Sequence, residues 1–344
     1  MPWLKVHLNM QTTLNKISVV VCTYNQEQTI ARALDSILRQ QCAWPIEILI
    51  GEDASTDRTG EICEEYAKRY PDAVRLYRRE HNMGLIRNYY GCLLEAQGKY
   101  IADLAGDDEW CDPQKLDKEW HLLEAHPEVV LVHTDYRLRR EGQEQFELPP
   151  FYPYPKGVVE GKSLTTSILT QFERPVVHLC TAMYRTESFR QCYEECTDLF
   201  TNRDYPCEDM QLCALLSRKG KFAYIDTVTL NYSIGCTISN SEDDEKQYSF
   251  VERVTQLTYD LQQRLQLPMD RTLSRYYSLR VHALMMHALR AHNPALRKQA
   301  LKNACQWQAH LMWRTQVVQT MTSFDTLWRI TLSLRKKLLQ LRRH

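Results

Sequence analysis

The chain lacks any apolar run approaching the ~20 residues that would span a bilayer. Its first ten residues carry neither the basic start nor the long apolar region of a signal peptide. The protein is therefore expected in the cytoplasm, in solution or peripherally on the inner face of the membrane. It also lacks an excess of charge: Lys plus Arg and Asp plus Glu each number 43, so no global field draws it onto nucleic acid. The 12 cysteines include no Cys-x-x-Cys pair, which argues against a zinc site or a small disulfide framework and for reduced thiols packed as small apolar residues. No Gly-x-Gly-x-x-Gly turn follows the first apolar run, which disfavours a nicotinamide dehydrogenase.

What is present is an ordinary globular composition, 44% hydrophobic and 25% charged over 344 residues, enough for roughly two domains. Residues 17–22 form a short β-branched apolar run of the kind buried on both faces of a sheet, and Ile30, Ala33, Leu34, Ile37 and Leu38 then recur at helical spacing. The pattern repeats. Strands are expected at 46–50, 74–77 and 100–104, with helices from about Asp57, with Asp57 as N-cap, and over about 84–95. Asp112-Pro113 reads as a helix start running to about 125, followed by a strand at 129–133. A Pro-rich loop at 148–155 separates two halves, about 16–135 and 136–240. Strands at 176–184 and 221–225 flank a helix over about 208–218 in the second half. Beyond a polar loop at 239–245 the pattern is helical throughout, interrupted at Pro268 and Pro294, which puts a domain boundary near 240.

Alternation of this kind argues for an α/β domain with a mainly parallel sheet flanked by helices. Ligands of such sheets bind outside the carboxyl ends of the strands. Acidic residues gather there: Asp53 and Asp57 come after the second strand, and Asp107 and Asp108 after the fourth. Adjacent carboxylates at a strand end suit a hard divalent cation held against a diphosphate. Glu208 and Asp209 open a helix, where the helix dipole also favours carboxylates, so capping is the alternative reading for them.

In order and spacing, residues 18–25, 53–57, 82–88, Asp107-Asp108 and Glu208-Asp209 resemble the family 2 glycosyltransferases with the GT-A fold, over about residues 16–235. The resemblance implies a Rossmann-like GT-A domain at 1–240, its donor half first and its acceptor half second, and an all-helical extension at 241–344. It implies an inverting transferase using Mn2+ or Mg2+, with Asp108 as the direct metal ligand and Asp107 beside the ribose or the metal's waters. Tyr24 would pack on the nucleobase and Asp53 would accept a hydrogen bond from its ring nitrogen; core packing and a turn role are their alternatives. Thr23, Asn25 and Arg87 would complete the donor site. Asp209 corresponds to the general base that takes the proton of the acceptor hydroxyl, and Glu208, His178 and Thr181 would line the acceptor cleft. Arg87, Asn88 and Lys115 would either approach the phosphates or sugar or belong to a solvated helix face.

Two departures matter. The Gln-x-x-Arg-Trp signature of processive synthases is absent, which favours transfer of a single sugar, and residues 233–239 lack the Arg and His that relatives often carry after Asn231-Tyr232, which weakens a phosphate-binding lid there. In the tail, Leu327, Ile330, Leu334, Leu338 and Leu341 recur at three- and four-residue spacing with basic residues between them. Residues 324–344 are thus expected either to lie on an anionic membrane surface, beside a lipid-linked acceptor, or to pack on the preceding helices. The expected activity is transfer from a nucleotide-sugar, a UDP-sugar in the first instance, to a hydroxyl of a lipid-linked or surface glycan, with homodimerisation left open. A sugar nucleotidyltransferase is the alternative, disfavoured because residues 22–27 lack a Gly-rich basic loop. A non-catalytic module on the same fold is disfavoured by the complete acidic set.

Overall fold

The computed structural model describes residues 14–140, 145–148, 154–172, 177–234, 243–324, 328–331 and 333. The chain divides into two compact units, one of Met1–Arg203 with Cys207–Gly235 and the other of Asp204–Pro206 with Cys236–His344.

The first unit opens with β1 (Leu14–Thr23), α1 (Ile30–Leu38), β2 (Ile46–Glu52), α2 (Thr59–Arg69), β3 (Val74–Arg78), α3 (Leu85–Leu93) and β4 (Gly98–Ala105). The strands are parallel, β1 lying between β2 and β4 with β3 outside β2. Their apolar runs are long because both faces are covered: Val19, Val20, Val21, Leu49, Ile50 and Ile101 are all buried. Ile30, Ala33, Leu34 and Ile37 present one side of α1 to that core.

The second half of the unit is less regular. It contains β5 (Glu109–Trp110), α4 (Lys115–Ala125), β6 (Val129–Arg140), β7 (Phe146–Glu147), β8 (Gly157–Glu160), α5 (Gly161–Thr170), a 3-10 turn (Leu179–Thr181), β9 (Ala182–Arg185), α6 (Thr186–Glu195), α7 (Thr197–Thr201), α8 (Asp209–Leu216) and β10 (Lys221–Ile234). Among the described residues the sheet runs β3-β2-β1-β4-β9-β6-β10-β5, with β7 on β6 and β8 on β10. β9 is antiparallel to both β4 and β6, so it joins the parallel β3-β2-β1-β4 half to a mixed half in which β6 and β10 are parallel and β5, β7 and β8 antiparallel.

Here the structure corrects several sequence expectations. The strand expected over 176–184 is a turn followed by a short strand, because the backbone N–H and hydroxyl of Thr181 both donate to His178 O, at 2.8 and 2.7 Å, and curl the chain. α4 starts at Lys115 rather than at Asp112-Pro113: Asp112 Oδ1 accepts from Gln114 N at 2.9 Å, making a turn ahead of the helix. β6 and β10 run well past the apolar stretches at 129–133 and 221–225 as an alternating ribbon, in which Tyr136 and Leu230 are buried while Asn231 pairs with Arg137 and Ser233 with Arg139. Cross-strand bonds such as Arg137 Nε to Asn231 Oδ1, 2.6 Å, join its polar positions, and Leu138 and Tyr232 pack on the core. Most of the Pro-rich loop and residues 235–242 lie outside the described residues.

The second unit comprises α9 (Asp244–Arg264), α10 (Arg271–Arg290), α11 (Pro294–Gln306) and α12 (Trp313–Ser323). Asp243, Asp270 and Asn293 cap the first three through side-chain oxygens, and Pro294 occupies the first turn of α11. Their core packs Tyr248, Tyr276, Tyr277, Leu284, Met285 and Trp307. Among the described residues no helix is long and apolar enough to cross a membrane. Of the leucine stripe read in the tail, only Ile330, which is exposed, is described; the others lie outside the described residues.

Candidate active site

The loops at the carboxyl ends of β1, β2 and β4 are knitted together. Asp53 N donates to Thr23 O at 3.1 Å, and Asn25 Oδ1 accepts from Thr56 N at 2.8 Å. Asn25 has φ 52°, a left-handed conformation that asparagine tolerates better than most side chains. The Thr23 hydroxyl, itself buried, donates to Gln26 Oε1 at 2.8 Å. Gly106 packs directly on both: a Cβ there would collide with Gln26 Oε1 and lie 2.9 Å from Thr23 Oγ1. At this rim the Tyr24 ring is 45% exposed, so the core-packing alternative does not describe it.

Asp53 is buried, and its two oxygens accept from Met83 N at 2.7 Å and Gly84 N at 3.0 Å. It thereby fixes the turn that enters α3, where Gly84 has φ 83°. Each carboxylate oxygen keeps further capacity to accept.

Asp108 is fully buried. Its Oδ1 accepts from Ser233 N at 2.8 Å, whereas Oδ2 is buried without a hydrogen-bond partner. Burial first, and the neighbouring Asp107 second, hold the Asp108 carboxyl well above the usual carboxylate range; burial raises Asp107 as well. The backbone between them is clamped, Asp107 O accepting from Arg32 Nη2 at 2.8 Å and from the Ser233 hydroxyl at 2.6 Å. Glu109, the next residue, lies against Arg39 at 3.4 Å and Arg139 at 3.2 Å. An orphaned buried oxygen beside a second carboxylate is a fitting place for a hard divalent cation. Among the described residues no group of three or more His, Cys, Asp or Glu side chains forms a metal cage.

Glu208 and Asp209 stand at the N-terminus of α8, where Tyr90 anchors the backbone by donating its hydroxyl to Glu208 O at 2.5 Å. Burial and then Asp209 push Glu208 up to about 8, and burial raises Asp209. Cys180 ties this side to the acidic pair. Its thiol is pushed up by burial, then by the charge of Asp108, with contributions from Asp103 and Glu208. His178 sits between Tyr136 and Tyr232, ring centroids 4.8 and 4.5 Å away, with Nδ1 buried and unpartnered, and burial pulls it down to about 4.

Other candidates have different positions. Thr181 is fully buried with its hydroxyl committed to the 3-10 turn. Arg87 is exposed on α3. Asn88 and Lys115 do not lie on a solvated face. Asn88 is buried and donates to Gly51 O at 2.7 Å, and Lys115, fully buried, pairs with Glu119 at 2.7 Å and lies 4.5 Å above the Trp110 ring. Sequence reasoning missed Gln26, Arg32, Cys180 and Ser233. Gln26 and Arg32 come soon enough after the first strand to have been suspected, but Ser233 stands 125 residues from Asp108 and no local signal joins the two.

A mixed sheet of this order, with an acidic pair after β4 and a second at the start of α8, defines the GT-A class of α/β fold. The sequence model described as "Glycosyl transferase family 2" matches residues 18–192, about half of the chain, and the chain belongs to that family. An uncharacterised protein of Mycobacterium tuberculosis is 42% identical over 135 residues, 39% of this chain and 39% of that one, so the match spans well under half of that relative's length. Among solved structures, S. aureus TarS in complex with UDP-GlcNAc has a TM-score of 0.54 at 16% identity, covering 86% of this chain and 93% of the other. Mannosyltransferase PcManGT from Pyrobaculum calidifontis, in complex with GDP-Man and Mn2+, has a TM-score of 0.50 at 16% identity, covering 95% and 86%. At such identities these two likenesses establish the fold alone.

Proposed function

We propose that the chain is an inverting, metal-dependent glycosyltransferase that moves one sugar from a UDP-sugar to a hydroxyl of a lipid-linked or surface glycan, working peripherally on the inner face of the membrane. The observation that carries this reading is Asp108, buried at the end of β4 with an oxygen that no protein group satisfies. A buried carboxylate in that state costs free energy until a cation arrives, which links metal binding to occupation of the donor site. Asp108 and Asp107 would hold Mn2+ or Mg2+. The ion would neutralise charge developing on the leaving diphosphate. A solved protein of this fold is described with UDP-GlcNAc and another with GDP-Man and Mn2+, which supports a nucleotide-sugar donor and a divalent ion here.

In this reading Tyr24 offers its exposed ring to the base and Asp53, fixed by two backbone amides, accepts from the base edge. Thr23 and Asn25 hold that rim in shape, and Arg87 reaches the donor from α3. Asp209 takes the proton of the acceptor hydroxyl as its oxygen attacks the anomeric carbon from the face opposite the nucleotide, which inverts the configuration. Burial, by raising Asp209, brings its basicity nearer to neutral pH. Glu208 and His178 flank the acceptor, while Thr181, buried in the 3-10 turn, holds His178 in place. Residues 1–240 form the transferase domain and 241–344 an extension whose tail, 324–344, contributes membrane contact. The test is Asp209→Asn: transfer should be lost while calorimetry still detects UDP binding close to wild type. Unchanged turnover in that variant would overturn the general-base assignment.

A further inference from the structure

α12 is amphipathic in the wrong direction. Its inward residues are Thr315, Val318 and Thr322. Its outward stripe, at intervals of four and seven residues and continuing just past the helix end, is Trp313 at 69% exposure, Val317 at 48% and Phe324 at 60%. The inward threonines are satisfied, Thr315 by His282 Nδ1 at 3.1 Å and Thr322 by Val318 O at 2.8 Å, so the helix is docked in this orientation. In water alone such a helix is mis-patterned, and an apolar stripe of this kind marks a surface that meets something else.

Charge identifies the partner. Although the whole chain is balanced, residues 271–324 contain no Asp or Glu, but carry Arg271, Arg275, Arg280, Arg290, Arg297, Lys298, Lys302 and Arg314. From 271 to the end there are 14 Lys and Arg against the single Asp325. The cations border the stripe: Arg314 lies 5.4 Å from the Trp313 ring, and Arg297 on α11 donates to Ser323 Oγ at 2.8 Å, next to Phe324. Lys298 and Lys302 are exposed one turn apart on α11. A tryptophan-led apolar stripe bordered by cations, on helices that carry no acid of their own, with Glu245 and Glu252 of α9 engaged by Asn293 and Asn303 of α11, fits the boundary between anionic headgroups and acyl chains, where an indole ring is at its most stable.

We propose that this face of α12 and the adjoining face of α11, resting on the peripheral membrane location proposed above, is the docking surface for an anionic phospholipid bilayer. Contact is thus made by folded helices of the second unit as well as by the basic tail. The test is flotation of the full-length protein with phosphatidylcholine vesicles, with and without phosphatidylglycerol, and with UDP calorimetry on every variant. Wild type should float only with the anionic vesicles. Lys298→Gln with Lys302→Gln should weaken binding about 30-fold, since each basic group near such a surface is worth about fivefold. Trp313→Ser with Val317→Ser should weaken it by about tenfold or more, and UDP binding should persist in both. Failure of the wild type to float with anionic vesicles would overturn the proposal and point to an acidic protein partner. So would undiminished flotation of both double variants, with loss confined to Arg335→Gln, Lys336→Gln and Lys337→Gln. Absence of UDP binding in wild type would instead refute the donor site, whatever the vesicles show.

Discussion

Asp103 offers a quantitative test of how dry the centre of the first unit is. It lies buried on β4, with the Tyr89 hydroxyl donating to its Oδ1 at 2.8 Å and the Tyr184 hydroxyl 3.4 Å from that of Tyr89. Burial pushes the carboxyl up to about 7, against the lowering influence of the two tyrosines, from an ordinary value of 3.8. Between those two values the folded state holds a proton that the unfolded chain releases, so stability is greatest at acid pH, declines as pH rises through this window and levels off above it. At about 1.36 kcal/mol per decade the interval amounts to on the order of 4 kcal/mol, an upper bound because structural relaxation and water entry reduce it. Asp103→Asn keeps an acceptor for Tyr89 and removes the titration. Urea unfolding at pH 4.5 and pH 8 should therefore show the variant close to wild type at the lower pH and more stable by several kcal/mol at the higher. Parallel pH dependence in the two proteins would refute the reasoning and mean that Asp103 is ionised in the fold.

Two further variants probe packing beside the site. Lys115→Met should destabilise by about 3 kcal/mol at pH 8, because Glu119 is left buried without its cation, and by less at pH 5, where Glu119, which burial holds at about 7 even when paired, takes up a proton. Adding Glu119→Leu should restore most of the loss, and urea midpoints decide both. Gly98→Ala would put a Cβ 2.6 Å from Lys16 O and 2.7 Å from Ser18 N, both backbone atoms of β1. It should cost about 2 kcal/mol or more in the same assay.

The parallel half of the sheet was legible in the sequence because strands buried on both faces leave continuous apolar runs, and β1, β2 and β4 do so. The candidate residues at their ends were legible for the same reason, since a parallel sheet gathers the loops at its carboxyl edge into one place. The extensions of β6 and β10 were not legible although both alternate, Tyr136 and Leu138 in one and Leu230, Tyr232 and Ile234 in the other, because each stretch is short and its polar partners, Arg137 with Asn231 and Arg139 with Ser233, meet only in the sheet. Ser233 reaches Asp108 across 125 residues of sequence, a proximity that only the sheet creates. Lys115 misleads for a complementary reason. A lysine on a helix reads as solvated, and nothing local announces that Trp110 and Glu119 enclose it. The inverted face of α12 was equally hidden, since Thr315 and Thr322 are buried where periodicity alone would have placed Trp313 and Val317.

The central claim is that Asp108 holds a divalent cation at the donor diphosphate. Titration calorimetry of UDP into wild type and Asp108→Asn, each with and without Mn2+, tests it most directly. The account predicts that Mn2+ strengthens UDP binding to wild type by on the order of tenfold or more and has no such effect on the variant. The same Mn2+ enhancement in both proteins would contradict it.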